Sequence, residues 1–204
     1  MYKHIIWDFD GTLFDTYPVM AKIFQELLQE RGIEEPVENI VKQLKVSMSA
    51  ALNYFGKKYQ IDEEFKASYQ ARRKEVEADS SKPFAGIAEV CKYIHSTDRK
   101  NYLYTHRGES SIMLLEKFGL DGYFSDFITS QNGFERKPSP AAIQYLIEKH
   151  GIVSAEAIMI GDRDLDLIAA KKAGIDACFF DELGAASDHS DHAIKDFQQL
   201  YAIV

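Results

Sequence analysis

The sequence predicts an α/β protein: a doubly wound, mostly parallel sheet with an all-helical segment inserted after its first strand. Short apolar runs that end at polar residues or glycine predict the sheet, because buried parallel strands have this pattern. Amphipathic helical patterns separate these runs in the second half of the chain, as in sheets whose strands are joined by helices. Residues 16–83 predict the insertion, because they show helical periodicity and no convincing strand.

Five apolar runs are the expected strands. In chain order they are residues 3–9, 101–105, 126–129, 157–161 and 176–180. The inserted segment follows the first run directly, and helical patterns join the later ones. This alternation favours parallel strands, which need long crossover connections.

End signals mark the helices between the runs. Apolar residues that share one face predict a helix over residues 87–94. Ser139 as N-cap and Pro140 in the first turn predict the start of a later helix, and Gly151 predicts its end. Gly174 ends the helix after the fourth run in the same way.

The insertion divides the chain into two predicted domains. Residues 1–15 and 84–204 are expected to form the α/β core, and residues 16–83 a helical domain. The chain has 204 residues, 46% of them hydrophobic, which suffices for one sizeable core and a smaller second one. A segment that leaves after the first strand is expected over the carboxyl ends of the strands, where open parallel sheets bind ligands.

Composition excludes several classes of function. The net charge of −8 disfavours a nucleic-acid partner. Asp8 interrupts the N-terminal apolar run too early for a signal peptide, and no apolar stretch is long enough to span a membrane. Cys91 and Cys178 lie in apolar surroundings and are expected to be buried free thiols in a reducing compartment. We expect a cytoplasmic protein without membrane partners, a monomer by default, with a homodimer as the alternative.

Polar side chains follow four of the predicted elements at points that meet at one edge of a parallel sheet. They offer carboxylates, a hydroxyl and an ammonium group: Asp8, Asp10, Thr105, Lys137, Asp162 and Asp166. Two carboxylates within three residues repel each other unless a cation or a reaction needs them. Oxygen ligands of this kind suit Mg²⁺, which joins one or two carboxylates to a substrate phosphate.

Four motifs in this order resemble the haloacid dehalogenase superfamily. They are DFDGTL (8–13), YLYT (102–105), RKPSP (136–140) and IGDRDLD (160–166), with the helical insertion after the first. The resemblance covers essentially the whole chain. It is greatest to the phosphoglycolate phosphatase-like and β-phosphoglucomutase-like group, and it implies a Rossmann-like core with a small helical cap.

For the first motif, the resemblance implies a nucleophile and an acid/base. Asp8 would attack phosphorus to form an aspartyl-phosphate and would also ligate Mg²⁺. Asp10 would protonate the leaving oxygen and then activate water, while its backbone oxygen ligates the metal. Gly11 permits the tight turn, and Thr12 is expected to hold the Asp10 side chain by a hydrogen bond; both are also expected beside the phosphate.

The second and third motifs are implied to bind the transferring phosphoryl group. Thr105 would donate its hydroxyl to a phosphate oxygen, with the His106 backbone N–H nearby. Many relatives have asparagine in place of His106, so the sequence assigns no role to this imidazole. Lys137 would neutralise charge on the phosphoryl group and on Asp8. Arg136 beside it is the alternative for this role, and the proline after Lys137 favours the lysine.

The fourth motif is implied to complete the metal site. Asp162 would bind Mg²⁺ directly. Asp166, one helical turn later, would hold Asp162 or a metal-bound water. Asp164 falls on another face and is expected to be solvated. Arg163 replaces a small residue and has no explanation from the sequence.

The cap and the C-terminal region give weaker signals. By resemblance, residues 44–49 (LKVSMS) occupy the place of a substrate-specificity loop, so Lys45 and Ser47 are candidates for substrate binding. A solvated helix face explains Lys45 equally well. His189 and His192 are expected in a polar loop before a final helix, not in a metal site.

The leading hypothesis is a Mg²⁺-dependent phosphatase acting on a small phosphorylated metabolite, such as 2-phosphoglycolate. Asp10 favours it, because relatives that cleave carbon–halogen bonds or phosphonates lack an acid at this position. A sugar phosphomutase uses the same residues and is the main alternative. A non-catalytic phosphate-binding protein of the same fold is less favoured, because every catalytic position is filled. A phosphorylated receiver domain is disfavoured by the order Asp, Thr, Lys, Asp and by the insertion.

Overall fold

Six parallel strands form the main sheet in the order β5-β4-β1-β6-β7-β8. The computed structural model describes the backbone of residues 1–204 and the side chains of residues 1–76 and 80–204. The strands of this sheet are β1 His4–Trp7, β4 Lys100–Tyr104, β5 Phe124–Ile128, β6 Ala157–Gly161, β7 Asp176–Phe180 and β8 His192–Ile194. The predicted α/β class with a mostly parallel sheet is confirmed.

Strand β1 lies at the centre of the sheet, which explains its continuous apolar sequence. It pairs with β4 on one side and with β6 on the other. Ile5 and Trp7 belong to the core on one face, whereas Ile6 belongs to the core on the opposite face, and none of them is exposed. A strand covered on both faces needs apolar residues at every position.

Four helices cover the two faces of the sheet. Their bounds are α5 Ile87–Ser96, α6 Ser110–Lys117, α7 Ala141–His150 and α8 Asp164–Ala173. The apolar residues of α5 and α6 belong to one core, and those of α7 and α8 to the other. The α7 and α8 helices end at Gly151 and Gly174, both left-handed, as predicted. Helix α7 begins one residue later than predicted, with Pro140 in the N-cap position.

The C-terminal region differs from the prediction. His192 belongs to β8, and its Nε2 lies 3.0 Å from the hydroxyl of Tyr2, so the prediction of a loop at this residue is wrong. The final helix is a 3-10 helix, Phe197–Ala202, whose N-cap is Asp196. Other 3-10 turns are Asp121–Tyr123, Ser130–Asn132 and Ser154–Glu156.

The chain forms two compact units: Met1–Phe14 with Pro83–Val204, and Asp15–Lys82. The second unit contains α1 Tyr17–Gln29, α2 Val37–Val46, α3 Met48–Tyr59 and α4 Glu63–Ser80. Its core includes Phe24, whose ring contacts those of Phe55, Phe65 and Tyr69 at centroid distances of 4.9–5.4 Å. Two short strands, β2 Phe14–Asp15 and β3 Lys82–Pro83, pair where the chain passes between the units.

Glu35 organises the second unit from inside. Its buried carboxylate accepts hydrogen bonds from Lys58 Nζ (2.6 Å), Asn39 Nδ2 (2.9 Å) and the hydroxyl of Tyr59. Burial opposes the ionised form, but these donors outweigh it and lower the pKa of Glu35. One carboxylate therefore joins α2 to the end of α3.

Two further expectations concern the whole chain. Cys91 and Cys178 are free and buried, as predicted, and burial raises the pKa of Cys178 to about 12, so this thiol is unreactive. Among the described residues, no helix is both long enough and apolar enough to cross a membrane.

Candidate active site

Asp8 stands where the chain topology changes direction. From β1 the chain runs to β4 and β5 on one side, and then to β6, β7 and β8 on the other. The Asp8 N–H donates to the Ile160 carbonyl at 2.9 Å, which extends the pairing of β1 with β6 by one residue. Open parallel sheets bind ligands at such a switch point, at the carboxyl ends of the strands. The Asp8 side chain is held there by rigid backbone and is 1% exposed.

A tight turn follows Asp8. Gly11 has a φ of 79°, a conformation that glycine adopts without a steric penalty. Its N–H donates to the Phe14 carbonyl at 2.8 Å, and the Phe14 N–H donates to the Phe9 carbonyl at 3.0 Å. Thr12 is fully buried, and its Oγ1 makes no hydrogen bond with any described residue.

The Asp10 side chain is held by an arginine that the sequence did not indicate. Nη1 of Arg107 donates to Asp10 Oδ1 at 2.8 Å, and the Arg107 side chain is only 4% exposed. The expected hydrogen bond between Thr12 and Asp10 was therefore wrong. The Arg107 guanidinium forms this contact in its place, because it reaches Asp10 from the loop after β4.

Lys137 lies between two buried carboxylates. Its Nζ is 2.6 Å from Asp8 Oδ1 and 2.7 Å from Asp166 Oδ1, and it donates to the Tyr104 carbonyl at 2.8 Å. The lysine side chain is fully buried. A buried ammonium with three oxygen partners keeps its charge, and burial is outweighed by Asp166 and Asp8, which raise the pKa of Lys137. The neighbouring Arg136, which the sequence offered as the alternative, is exposed.

Three buried carboxylates come together at the ends of β1 and β6. Asp8, Asp162 and Asp166 each offer an oxygen atom, and these atoms lie within 4.8 Å of one another. Asp166 Oδ2 accepts a hydrogen bond from the Arg163 N–H at 3.2 Å, which fixes it in the first turn of α8. A Cβ atom added to Gly161 would lie 2.4 Å from the Cβ of Asp166, so only glycine lets Asp166 approach the end of β6 this closely.

The two carboxylates that share Lys137 have pKa values shifted in opposite directions. Burial and the charge of Asp166 raise the pKa of Asp8, and Lys137 and Arg163 offset part of this effect. Burial also disfavours the charge of Asp166, but Lys137 and Arg163 outweigh it and lower the pKa of Asp166. The two carboxylates thus have pKa values shifted in opposite directions, although both contact the same ammonium.

Arg163, which the sequence left unexplained, is part of this cluster. Its Nη2 lies 3.5 Å from Asp8 Oδ2, and its Nε lies 3.7 Å from Asp162 Oδ1 and 3.8 Å from Asp166 Oδ2. The guanidinium therefore faces all three carboxylates. Its side chain is 14% exposed, between the buried acids and solvent.

The loop after β4 supplies the polar groups opposite the carboxylates. Thr105 is buried, its N–H donates to the Ile128 carbonyl at 2.9 Å, and its Oγ1 accepts from the Arg107 N–H at 3.1 Å. His106 Nε2 accepts from the Lys137 N–H at 2.8 Å. Burial, followed by the charges of Lys137 and Arg136, lowers the pKa of His106 to about 3, so the imidazole is neutral. It holds the backbone of Lys137, a role that the sequence did not predict.

The donor set fits a hard divalent cation. Three carboxylates against the two cations Lys137 and Arg163 leave the cluster one negative charge in excess. Oδ2 of Asp8 is buried and accepts no hydrogen bond from the described residues. Arg163 Nη2 lies 3.5 Å from this oxygen, and a directly bound cation would stabilise it further. Several carboxylate oxygens are the ligands that Mg²⁺ prefers.

The remaining residues that the sequence singled out make contacts within their own units. Lys45 and Ser47 belong to the second unit: Ser47 Oγ caps α3 by accepting from the Ala50 N–H at 2.9 Å, and Lys45 Nζ lies 5.7 Å from the ring centroid of Tyr17. Asp164 is exposed, as predicted, and its Oδ1 accepts from the hydroxyl of Ser187 at 2.6 Å.

The sequence and the fold are similar to those of known proteins. The family model described as haloacid dehalogenase-like hydrolase matches residues 5–180. Phosphoglycolate phosphatase of Vibrio parahaemolyticus is 28% identical over 186 residues, which cover 84% of this chain and 80% of that protein. A hydrolase from Streptococcus pneumoniae of known crystal structure is 33% identical, with a TM-score of 0.66 over 86% of this chain and 91% of that one. A subfamily IA hydrolase from Geobacter sulfurreducens is only 20% identical, yet it matches all of both chains with a TM-score of 0.79, and so shares the fold.

Proposed function

The chain belongs to the haloacid dehalogenase-like hydrolases, and from this premise we propose that it is a Mg²⁺-dependent phosphatase that hydrolyses a small phosphate monoester through an aspartyl-phosphate. Membership of the family and the class, a phosphatase hydrolase, are as the sequence predicted. The metal, the covalent intermediate and the substrate are the parts proposed here.

One observation carries the proposal: a buried carboxylate at the switch point of the sheet has one oxygen held by an ammonium and the other without a hydrogen bond. Lys137 fixes Asp8 Oδ1 at 2.6 Å, so the carboxylate cannot rotate freely. Asp8 Oδ2 accepts no hydrogen bond from the described residues. A nucleophile needs this combination of fixed orientation and an available lone pair.

Two displacements at phosphorus complete the reaction. In the first, a carboxylate oxygen of Asp8 attacks phosphorus, the bond from phosphorus to the ester oxygen breaks, and the Asp10 carboxyl gives its proton to the leaving alkoxide. In the second, the Asp10 carboxylate takes a proton from water, whose oxygen attacks phosphorus and releases inorganic phosphate from Asp8. Lys137 and the hydroxyl of Thr105 balance charge on the phosphoryl oxygens in both steps.

The proposed ligands of Mg²⁺ are the carboxylates of Asp8 and Asp162 and the backbone oxygen of Asp10, with Asp166 beside them or joined through water. The bound ion would supply positive charge that draws a phosphate dianion to an otherwise anionic cluster. Lys137 and Arg163 orient and partly neutralise the carboxylates.

The proposed substrate is a small phosphorylated metabolite. The name phosphoglycolate phosphatase of the relatives at about 28% identity supports 2-phosphoglycolate as the first compound to assay. Lys45 and Ser47 remain the candidates in the second unit for binding the part of the substrate beyond the phosphate.

The test combines kinetics with trapping of the intermediate. We expect hydrolysis of p-nitrophenyl phosphate that EDTA abolishes and Mg²⁺ restores; turnover that persists in EDTA would contradict the metal requirement. Acid quenching during turnover, followed by borohydride reduction, should convert Asp8 to homoserine, which mass spectrometry detects. Asp8→Asn should lose activity by at least about 10³-fold and give no homoserine. Asp164→Asn, which changes an exposed aspartate, is the matched control and should keep both.

A panel of 2-phosphoglycolate and sugar phosphates identifies the substrate class. Each reaction is followed for free phosphate and for an isomerised product. Stoichiometric release of phosphate is expected. Formation of an isomerised sugar phosphate without free phosphate would show that the protein is a mutase and not a phosphatase.

A further inference from the structure

We propose that Arg107 is a positioning residue that holds the Asp10 carboxyl in the orientation needed to protonate the leaving group. This inference rests on the proposed function, because it assumes that Asp10 is the general acid. Arg107 does not belong to any of the four motifs that the sequence indicated. The structure places its side chain on Asp10.

The guanidinium of Arg107 is itself fixed from three sides. Nη1 donates to Asp10 Oδ1 at 2.8 Å, and Nη2 donates to the hydroxyl of Ser110 at 3.3 Å. The centre of the guanidinium lies 5.1 Å from the ring centroid of Phe9, which is fully buried. A planar cation stacked on an aromatic ring and bound at two nitrogens has little freedom, so its partner oxygen is fixed as well.

Asp10 needs such a partner more than Asp8 does. Lys137 holds the side chain of Asp8 directly, whereas the side chain of Asp10 is 18% exposed and its Thr12 neighbour makes no hydrogen bond to it. A proton transfer requires the acid within hydrogen-bond reach of the leaving oxygen, and small misplacements lower the rate strongly. The hydrogen bond from Arg107 to Asp10 Oδ1 restricts this rotation.

The same residue also touches the phosphate-binding loop. The Arg107 N–H donates to Thr105 Oγ1 at 3.1 Å. The hydroxyl proton of Thr105 therefore points away from the backbone N–H of Arg107. The backbone of Arg107 thus orients the hydroxyl expected at the phosphate, and its side chain orients the acid. Arg107 therefore contacts both the hydroxyl expected at the phosphate and the proposed proton donor.

The test uses the leaving group as the readout, because only a defect in proton donation depends on it. A p-nitrophenolate ion leaves without protonation, whereas a primary alkoxide must be protonated. The value of kcat/KM reports only on steps up to departure of the leaving group, so it excludes the later attack of water that Asp10 also assists. Arg107→Met should lower kcat/KM about 10²-fold for a primary alkyl phosphate and by less than about 5-fold for p-nitrophenyl phosphate. Arg107→Lys, which keeps a cation, should recover part of the loss on the alkyl phosphate only.

Two controls separate this inference from the proposed function. Asp10→Asn should show the same dependence on the leaving group, and more strongly; if it does not, Asp10 is not the general acid and both proposals fall. Arg99→Met removes a half-buried arginine just before β4, at the opposite end of the strand, and should leave both substrates unaffected. The role of Arg107 alone would be overturned by a combination of two results. Arg107→Met and Arg107→Lys would lose equal activity on both substrates, while Asp10→Asn would lose activity selectively on the alkyl phosphate. Circular dichroism of each variant establishes that it is folded.

Discussion

Removal of the buried ammonium of Lys137 should destabilise the α/β unit far more than removal of an equivalent surface ammonium. Lys137→Met keeps the approximate volume of the side chain but leaves the carboxylates of Asp8 and Asp166 without their shared partner. Both carboxylates are fully buried or nearly so. Buried carboxylates cannot gain water in place of the ammonium. One of them must therefore take up a proton to remove the uncompensated negative charge.

The expected cost follows from that proton. A carboxyl with an ordinary pKa of about 4 must take up a proton at about pH 7, and each pH unit costs about 1.4 kcal/mol, which gives about 4 kcal/mol. Breaking a buried ion pair by removal of one partner costs about 3–5 kcal/mol in other proteins. The two values agree. The folded variant then holds a proton that the unfolded chain releases, so its deficit should shrink by about 1.4 kcal/mol for each unit that pH falls toward about 5.

Urea unfolding in EDTA measures this deficit. Trp7 is the only tryptophan, it is buried in β1 next to Asp8, and its fluorescence therefore reports on the unit in question. Lys171→Met is the matched control, because Lys171 also lies near two carboxylates, Asp191 at 2.7 Å and Asp176 at 3.7 Å, but is 42% exposed. Lys171→Met should lower the free energy of unfolding by about 0–1 kcal/mol at every pH. A loss below about 1 kcal/mol in Lys137→Met at about pH 7, or one that does not change with pH, would refute the reasoning.

Three other perturbations have defined outcomes. Gly161→Ala should displace Asp166, because its Cβ would lie 2.4 Å from that of the aspartate, and should lower both kcat and the unfolding midpoint; activity close to wild type would contradict the need for this contact. The imidazole of His106 should show no NMR titration between about pH 5 and about pH 8, because its pKa is lowered to about 3, and a midpoint inside that range would contradict its burial beside Lys137. Glu35→Gln should lower the stability of the second unit by about 1.5–3 kcal/mol through weaker bonds from its donors, and the loss should diminish as pH falls, because the lowered pKa of Glu35 confers stability only above the pKa of the unfolded chain. An unchanged thermal midpoint for this variant would show that the carboxylate is not needed.

The sequence predicted the site residues that follow buried strands. Asp8 and Asp162 come directly after β1 and β6, and adjacent parallel strands bring their carboxyl ends together regardless of side-chain detail. Lys137 and Asp166 lie farther along loops and a helix, and motif order was needed to place them. The insertion was predicted because strand patterns disappear over a long range.

The features that the sequence missed depend on contacts between distant residues. Arg107 reaches Asp10 across 97 positions of the chain, and periodicity carries no information about such a pair. His106 receives the Lys137 N–H across 31 positions for the same reason. Strand β8 has three residues, one of them exposed, so it lacks the apolar run by which the other strands were predicted.

The charge balance of the cluster connects these features to the reaction. Arg163 faces the three carboxylates at 3.5–3.8 Å, beyond normal hydrogen-bond distance, whereas Lys137 is in direct contact with two of them. The lysine is therefore the closer counter-charge, and the arginine is a more distant one that lowers the repulsion among the three carboxylates. One negative charge remains, which disfavours the approach of a phosphate dianion. A divalent cation reverses the sign of the cluster, so metal binding and substrate binding should be mutually reinforcing in this protein.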